Sequence, residues 1–124
     1  MIIGTHFLLY SADADADRAF LRDGLGLRSV DAGHGWLIFA VSPAEAAVHP
    51  ADDASRASQA ATLRGDFYLM CDDLNETIAS LKQKNVKCGA VATERWGTRT
   101  TIPLPSGGTI GLYQPAHPTA LNLR

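Results

Sequence analysis

"DFYLMCDD", Asp66 to Asp73, aligns without gaps on "HFLLYSAD", His6 to Asp13. Phe67 falls on Phe7, Leu69 on Leu9 and Asp73 on Asp13. Each stretch is a run of β-forming residues that closes on an acidic residue where the character of the chain changes to helical. The two halves also end alike, in "AVHP" (47–50) and "LYQP" (112–115). A unit repeated over half of the chain predicts an internal duplication.

Working outward, Ile2 to Tyr10 reads as a strand, and "SADADADRAFLRDGLG" reads as a helix. Ser11 is its expected N-cap, its acidic first turn complements the helix dipole, and Gly24 or Gly26 ends it. The alternating Asp and Ala residues lack the glycine and terminal glutamate of an EF-hand loop, so a solvated first turn is expected there. "LRSVDAG", "GWLIFAVS" and "EAAVHP" follow as three short strands separated by Gly and Pro. "PADDASRASQAATL" (50–63) is small and polar, as a connector is. The second half repeats the order: a strand in "DFYLMCDD", and a helix in "LNETIASLKQKN" with Leu74, Ile78 and Leu81 at helical spacing and Asn85 at its end. Three strands follow in "VKCGAVATERWG", "TRTTIPLP" and "GTIGLYQP". The expected fold is α+β, with two tandem β-α-β-β-β modules, residues 1–55 and residues 56–124 with the connector, forming one structural domain.

At 124 residues, 46% hydrophobic and 19% charged, the chain has the make-up of an ordinary globular domain. A formal charge of -2 gives no electrostatic footing for nucleic acid or an anionic membrane. Cys71 and Cys88 have neither CxxC spacing nor the number for a disulfide framework, so reduced thiols and a cytoplasmic setting are expected. "MIIGTHFLLY" carries no basic leader, and polar residues interrupt its apolar run, so neither a signal peptide nor a membrane span is expected. No phosphate loop, serine-nucleophile motif or zinc spacing occurs.

A duplicated β-α-β-β-β unit carrying "THFLLY", "FLRDGLGLRSV", "FYLMCDDL" and a closing "LPSGGTIGLYQP" resembles the vicinal-oxygen-chelate superfamily of glyoxalases, extradiol dioxygenases, and fosfomycin and bleomycin resistance proteins. The resemblance implies a curled, open mixed sheet with helices outside and a ligand on its inner face. It also implies a homodimer. In the metal-dependent members, ligands come from the first and last strands of each module, and those positions fall here on His6, Ala46, Asp66 and Gly111. His6 and Asp66 carry donors; Ala46 and Gly111 do not. Glu45, His49 and Gln114 flank the empty positions, but strand alternation turns them to the other face.

Alternation from His6 places Leu8 and Tyr10 on the inner face of the first strand, and Asp66, Tyr68 and Met70 on that of the second module. Tyr113 joins them beside Gly111, whose missing side chain leaves a gap in the last strand. Arg95 and Trp96, in "ERWGTRT", offer a guanidinium for an anion and an indole for a flat group. Trp36 holds a comparable place in the first half. His34 and His117 read as surface residues. The candidate ligand-binding set is therefore His6, Leu8, Tyr68, Met70, Arg95, Trp96, Gly111 and Tyr113.

Three functions are consistent with these residues. The first is binding of a small, partly apolar or anionic molecule with no cofactor and without a complete family metal site. The second is a lyase, isomerase or extradiol-type dioxygenase using Fe, Mn, Ni or Zn held by His6 and Asp66, with those two also a possible acid-base couple. The third is a regulatory or structural module without a ligand.

Overall fold

Asp13 and Asp73, equivalent in the internal alignment, each head a helix. The Asp13 carboxylate accepts the Ala16 N–H at 3.1 Å and that of Asp73 accepts the Glu76 N–H at 3.0 Å, satisfying donors that the first helical turn leaves free. The computed structural model describes residues 6, 7, 9–41, 43–45, 47 and 65–121.

In the first half, α1 (Ala14–Ala19) runs into a π-helical turn, Phe20–Gly24, and an antiparallel pair follows, β1 (Ser29–Asp31) and β2 (Leu37–Phe39). The helical path stops by Gly26, whose φ is +71°. Ser11 is not the cap that its position suggested. Its hydroxyl accepts from the Asp13 N–H and donates to Asp17, so the repeat-equivalent Asp13 takes the capping role.

In the second half, β3 (Tyr68–Met70), α2 (Leu74–Gln83), β4 (Ala92–Glu94), β5 (Gly97–Pro103) and β6 (Thr109–Pro115) form the strand, helix and three strands expected. The sheet order is β3-β6-β5-β4, with β3 parallel to β6 and the other pairs antiparallel. A parallel pair needs a long crossover, and α2 begins it. Asn85, at φ +62°, ends α2 in the left-handed conformation that asparagine tolerates.

Alternation divides the four-stranded sheet into two faces. On one, Ile102, Ile110 and Leu112 meet Leu74 and Leu81 of α2, with Val86, in the buried core. Phe20 and Leu25 of the first half pack against the same cluster. Gln114 points to this side too, and its amide oxygen accepts the Leu74 N–H at 2.9 Å. The other face carries Tyr68, Met70, Gly111, Tyr113, Arg99 and Thr101, as the register Tyr68↔Gly111, Met70↔Tyr113, Arg99↔Tyr113 and Thr101↔Gly111 requires.

Further contacts join the halves. Phe7 and Phe67, equivalents in the repeat, meet with their rings tilted by 57° and 5.7 Å between centroids, which is how a two-fold-like pairing brings equivalent residues together. Asp17 of α1, 7% exposed, accepts from the Ser106 N–H at 3.1 Å and the Ser106 hydroxyl at 2.8 Å, in the turn between β5 and β6.

Several strand expectations need correction. His6, Phe7, Leu9 and Tyr10 lie outside any strand, and so do Glu45 and Ala47. β-forming residues make a strand only where a ladder partner lies alongside, and among the described residues none pairs with them. Residues 1–5 and 8 of the first strand, Ala46, and residues 48–64 with His49 and the connector lie outside the described residues. The strand in "VKCGAVATERWG" shortens to Ala92–Glu94. Among the described residues no helix is long and apolar enough to cross a membrane.

Candidate functional site

The gap left by Gly111 in β6 is filled from the neighbouring strand. A Cβ at Gly111 would collide with the Tyr68 ring, whose Cδ1 and Cε1 occupy that space. The parallel register sets Tyr68 directly beside Gly111, so the ring lies across the glycine. The expectation that Gly111 leaves the floor of a pocket open is therefore corrected: it is the seat of an aromatic side chain.

Tyr68, Trp96 and Tyr113 form a mutual edge-to-face set. Their centroids are 5.8 Å apart for Tyr68–Trp96, 5.6 Å for Tyr68–Tyr113 and 5.2 Å for Trp96–Tyr113, with interplanar angles of 77°, 83° and 77°. This geometry sets the positive edge of one ring against the negative face of the next, worth about 0.5–1.5 kcal/mol per pair beyond burial. Trp96 reaches the set from the turn between β4 and β5, and its carbonyl accepts the Ala116 N–H at 2.8 Å.

Tyr113 is the centre of a polar clasp as well. Its hydroxyl lies 3.2 Å from His117 Nε2 and donates to Glu45 Oε1 at 3.5 Å, while Glu45 Oε2 accepts the Ala120 N–H at 2.6 Å. His117 stacks on the Tyr113 ring at 6.0 Å, so it is not the surface residue expected. Burial raises the Tyr113 phenol above its ordinary range, and the nearby Glu45 carboxylate adds to the shift. Tyr113 is a neutral hydrogen-bonding group here, unsuited to act as a phenolate. Glu45, a flanking residue in the sequence reading, ties the first half to the tail.

Beside the aromatic set lies a cleft of about 180 Å³ lined by Asp66, Phe67, Tyr68, Arg99, Thr101, Thr109 and Gly111. Its cation is Arg99. Arg95 is exposed on the turn and is not part of the cleft's lining. Arg99 Nε and Nη2 donate to Glu94 Oε1 at 3.2 and 3.1 Å, with both side chains about a third exposed. The alternation in "TRTTIPLP" is the signal that assigns Arg99 and Thr101 to the face of Tyr113.

The other candidates divide. Met70 is on the same face, beside Tyr113 in register. His6 is exposed and is not part of the cleft's lining, and no hydrogen bond or ion pair joins it to Asp66, so the structure forms no acid-base couple from them. Leu8 and Ala46 lie outside the described residues. Trp36 is exposed in the first half, with the Arg18 guanidinium 4.6 Å from its ring centroid. His34 sits exposed in the turn after β1, as expected. Among the described residues no group of three or more His, Cys, Asp or Glu side chains gathers as a metal would require. At Gly111, one of the metal positions implied by the family pattern, there is no side-chain donor, and the Tyr68 ring stands where a ligand side chain from that position would go.

No curated protein sequence matches the chain. Among solved structures it is similar in fold to TnmS3, an antibiotic binding protein from Streptomyces sp. CB03234, at a TM-score of 0.62 and 24% identity over 94% of this chain and 99% of that one. It is also similar to lactoylglutathione lyase from Agrobacterium tumefaciens, at 0.60 and 19% identity over 90% and 92% of the two chains. Integron cassette protein VCH_CASS1, from the mobile metagenome of V. Cholerae, follows at 0.54 and 18% over 92% and 97%. These likenesses are of fold. Residues 5–110 match the family model for the Glyoxalase/Bleomycin resistance protein/Dioxygenase superfamily, which spans both halves of the repeat, and the chain belongs to that superfamily.

Proposed function

We propose that this protein binds a small, partly apolar molecule on the sheet face opposite α2, and does so without the divalent ion used by metal-dependent members of its superfamily. The observation that carries the reading is the Tyr68 ring over Gly111. It turns a position from which a metal ligand would project into an aromatic wall, continuous with Trp96 and Tyr113 and bordered by the cleft at Arg99. Pockets for small molecules combine such walls with a few placed polar groups. The fold alone does not choose, since it serves antibiotic binding in TnmS3 and a lyase in the Agrobacterium protein; the residues at the site favour binding. Cys71 and Cys88 are free thiols, in keeping with a cytoplasmic setting.

Elemental analysis of protein purified without chelator or metal resin, followed by thermal-shift titration with Mn, Fe, Ni and Zn salts, tests the metal-free reading. The expected result is substoichiometric metal and no change in Tm. Near-stoichiometric metal that stabilises the fold would replace this reading with the lyase or dioxygenase one.

The active form is a homodimer in this proposal. Phe7, Leu9, Tyr10, Val30, Trp36, Ile38 and Val41 are all exposed and all in the first half, whereas every buried apolar core residue among those described lies in the second. Val30 pairs with Ile38 across β1 and β2, so their side chains share one face. Light scattering at micromolar concentration is expected to give twice the chain mass, and Val30→Glu to return it to that of one chain. A wild-type monomer would refute the pairing.

A further inference from the structure

We propose that the cleft beside Tyr68 receives an aromatic carboxylate of single-ring size, taken end-on by the Arg99 guanidinium while Glu94 holds its side edge. The inference rests on the binding reading above and names the chemical class that the site selects.

Three observations carry it. Arg99 projects from β5 onto the same face as Tyr113 and Gly111, and it lines the cleft together with Tyr68, Thr101 and Thr109. Its ion pair with Glu94 uses Nε and Nη2 and ends on one carboxylate oxygen, Oε1. The Nη1 edge is therefore not engaged by Glu94, and an end-on fork of Nη1 and Nη2 is the geometry that receives a carboxylate or other planar oxyanion. An ion pair about a third exposed contributes little to stability, so the guanidinium is free to turn its open end towards an incoming anion.

The cleft is open to solvent on one side, and at about 180 Å³ it seats one ring and its carboxylate without enclosing them. Tyr68 supplies the aromatic wall, held in place by Trp96 and Tyr113. The opposite charge in the cleft is Asp66, two residues before Tyr68 and so on the Thr109 side of Gly111, while Arg99 pairs with Tyr113 on the other side of Gly111. The ligand's carboxylate is thereby directed to Arg99 and away from Asp66.

Benzoate and its neutral isostere benzamide separate the two levels of the proposal. Each is titrated into ¹⁵N-labelled protein, following the amide resonances of Gly111 and Thr101. Benzoate is expected to bind about tenfold tighter than benzamide, a preference that a guanidinium fork provides. Arg99→Gln is expected to equalise the two probes. Glu94→Gln, which removes the like charge beside the fork, is expected to raise benzoate affinity about threefold or more while leaving benzamide unchanged; this arm carries the test alone if Arg99→Gln fails to fold. Equal binding of both probes to the wild type, or no gain for benzoate in Glu94→Gln, overturns the carboxylate assignment and leaves the aromatic pocket standing. If neither probe moves the Gly111 and Thr101 resonances at millimolar concentration, the pocket reading falls as well.

Discussion

Gly111→Ala is expected to destabilise the protein by about 2 kcal/mol, and the same substitution in a Tyr68→Ala background to stabilise it by about 0.5 kcal/mol. Alanine in place of glycine inside a strand is ordinarily favourable, because glycine loses more backbone freedom on folding. Here the new methyl group meets the Tyr68 ring. The ring has nowhere simple to go, since its edges engage Trp96 and Tyr113 and its backbone is fixed by pairing with β6. Overpacking of this kind costs about 1–3 kcal/mol, more than the backbone gain returns. Once Tyr68 is truncated the clash is absent and the intrinsic preference reappears. The sign of the effect thus reverses between backgrounds, a coupling of about 2.5 kcal/mol, within the range for residues in direct contact. Urea unfolding of wild type, both single variants and the double variant measures it. An equal cost in both backgrounds would mean that Tyr68 does not cover Gly111. Gly111→Glu, which would restore a carboxylate at a family ligand position, is expected to be worse than Gly111→Ala, because it must displace the ring completely.

The same pair shows what the sequence made legible and what it did not. The gap-free match of "HFLLYSAD" to "DFYLMCDD" located the repeat, and Asp13 and Asp73 prove to be equivalent caps while Phe7 and Phe67 touch. Alternation alone assigned Tyr68, Met70, Gly111 and Tyr113 to one face and Gln114 to the other, and the ladder agrees. Arg99 is legible by the same rule, whereas Arg95 adjoins Trp96 in sequence but stands exposed on the turn. Contacts between distant segments were not legible. Nothing local marks Glu45 as the partner of Tyr113 and Ala120, because both contacts depend on how the tail crosses the first half. That Tyr68 fills the space above Gly111 is likewise a matter of register between strands far apart in sequence, where one residue of slip would turn the ring to the other face.

The second large effect lies at Asp17, where the first half is bound to the turn that opens β6. Asp17→Ala is expected to cost about 3 kcal/mol. The carboxylate accepts from the Ser11 hydroxyl at 2.6 Å, the Ser106 hydroxyl at 2.8 Å and the Ser106 N–H at 3.1 Å. Hydrogen bonds to a charged group are worth about 1.5–3 kcal/mol each, and bonds sharing one acceptor add less than fully. Burial is the largest single influence on the carboxyl and acts to raise its pKa, but the three donors together outweigh it and hold the pKa below the usual value for aspartate. The sign of the pH dependence follows. Because the folded pKa is lower than the unfolded value of about 3.9, the stabilising contribution is fully present above that value and is lost as pH falls through the folded one. Asp17→Asn keeps the shape and removes the titration, so the stability difference between wild type and Asp17→Asn is expected to be constant above about pH 5 and to shrink below about pH 4. A difference that stays constant down to pH 2.5 would show that Asp17 titrates alike in the folded and unfolded chains, so that its three donors do not favour the charged form, and a difference near zero at neutral pH would show that the junction between α1 and the β5–β6 turn is held by the packing of Phe20 and Leu25 alone.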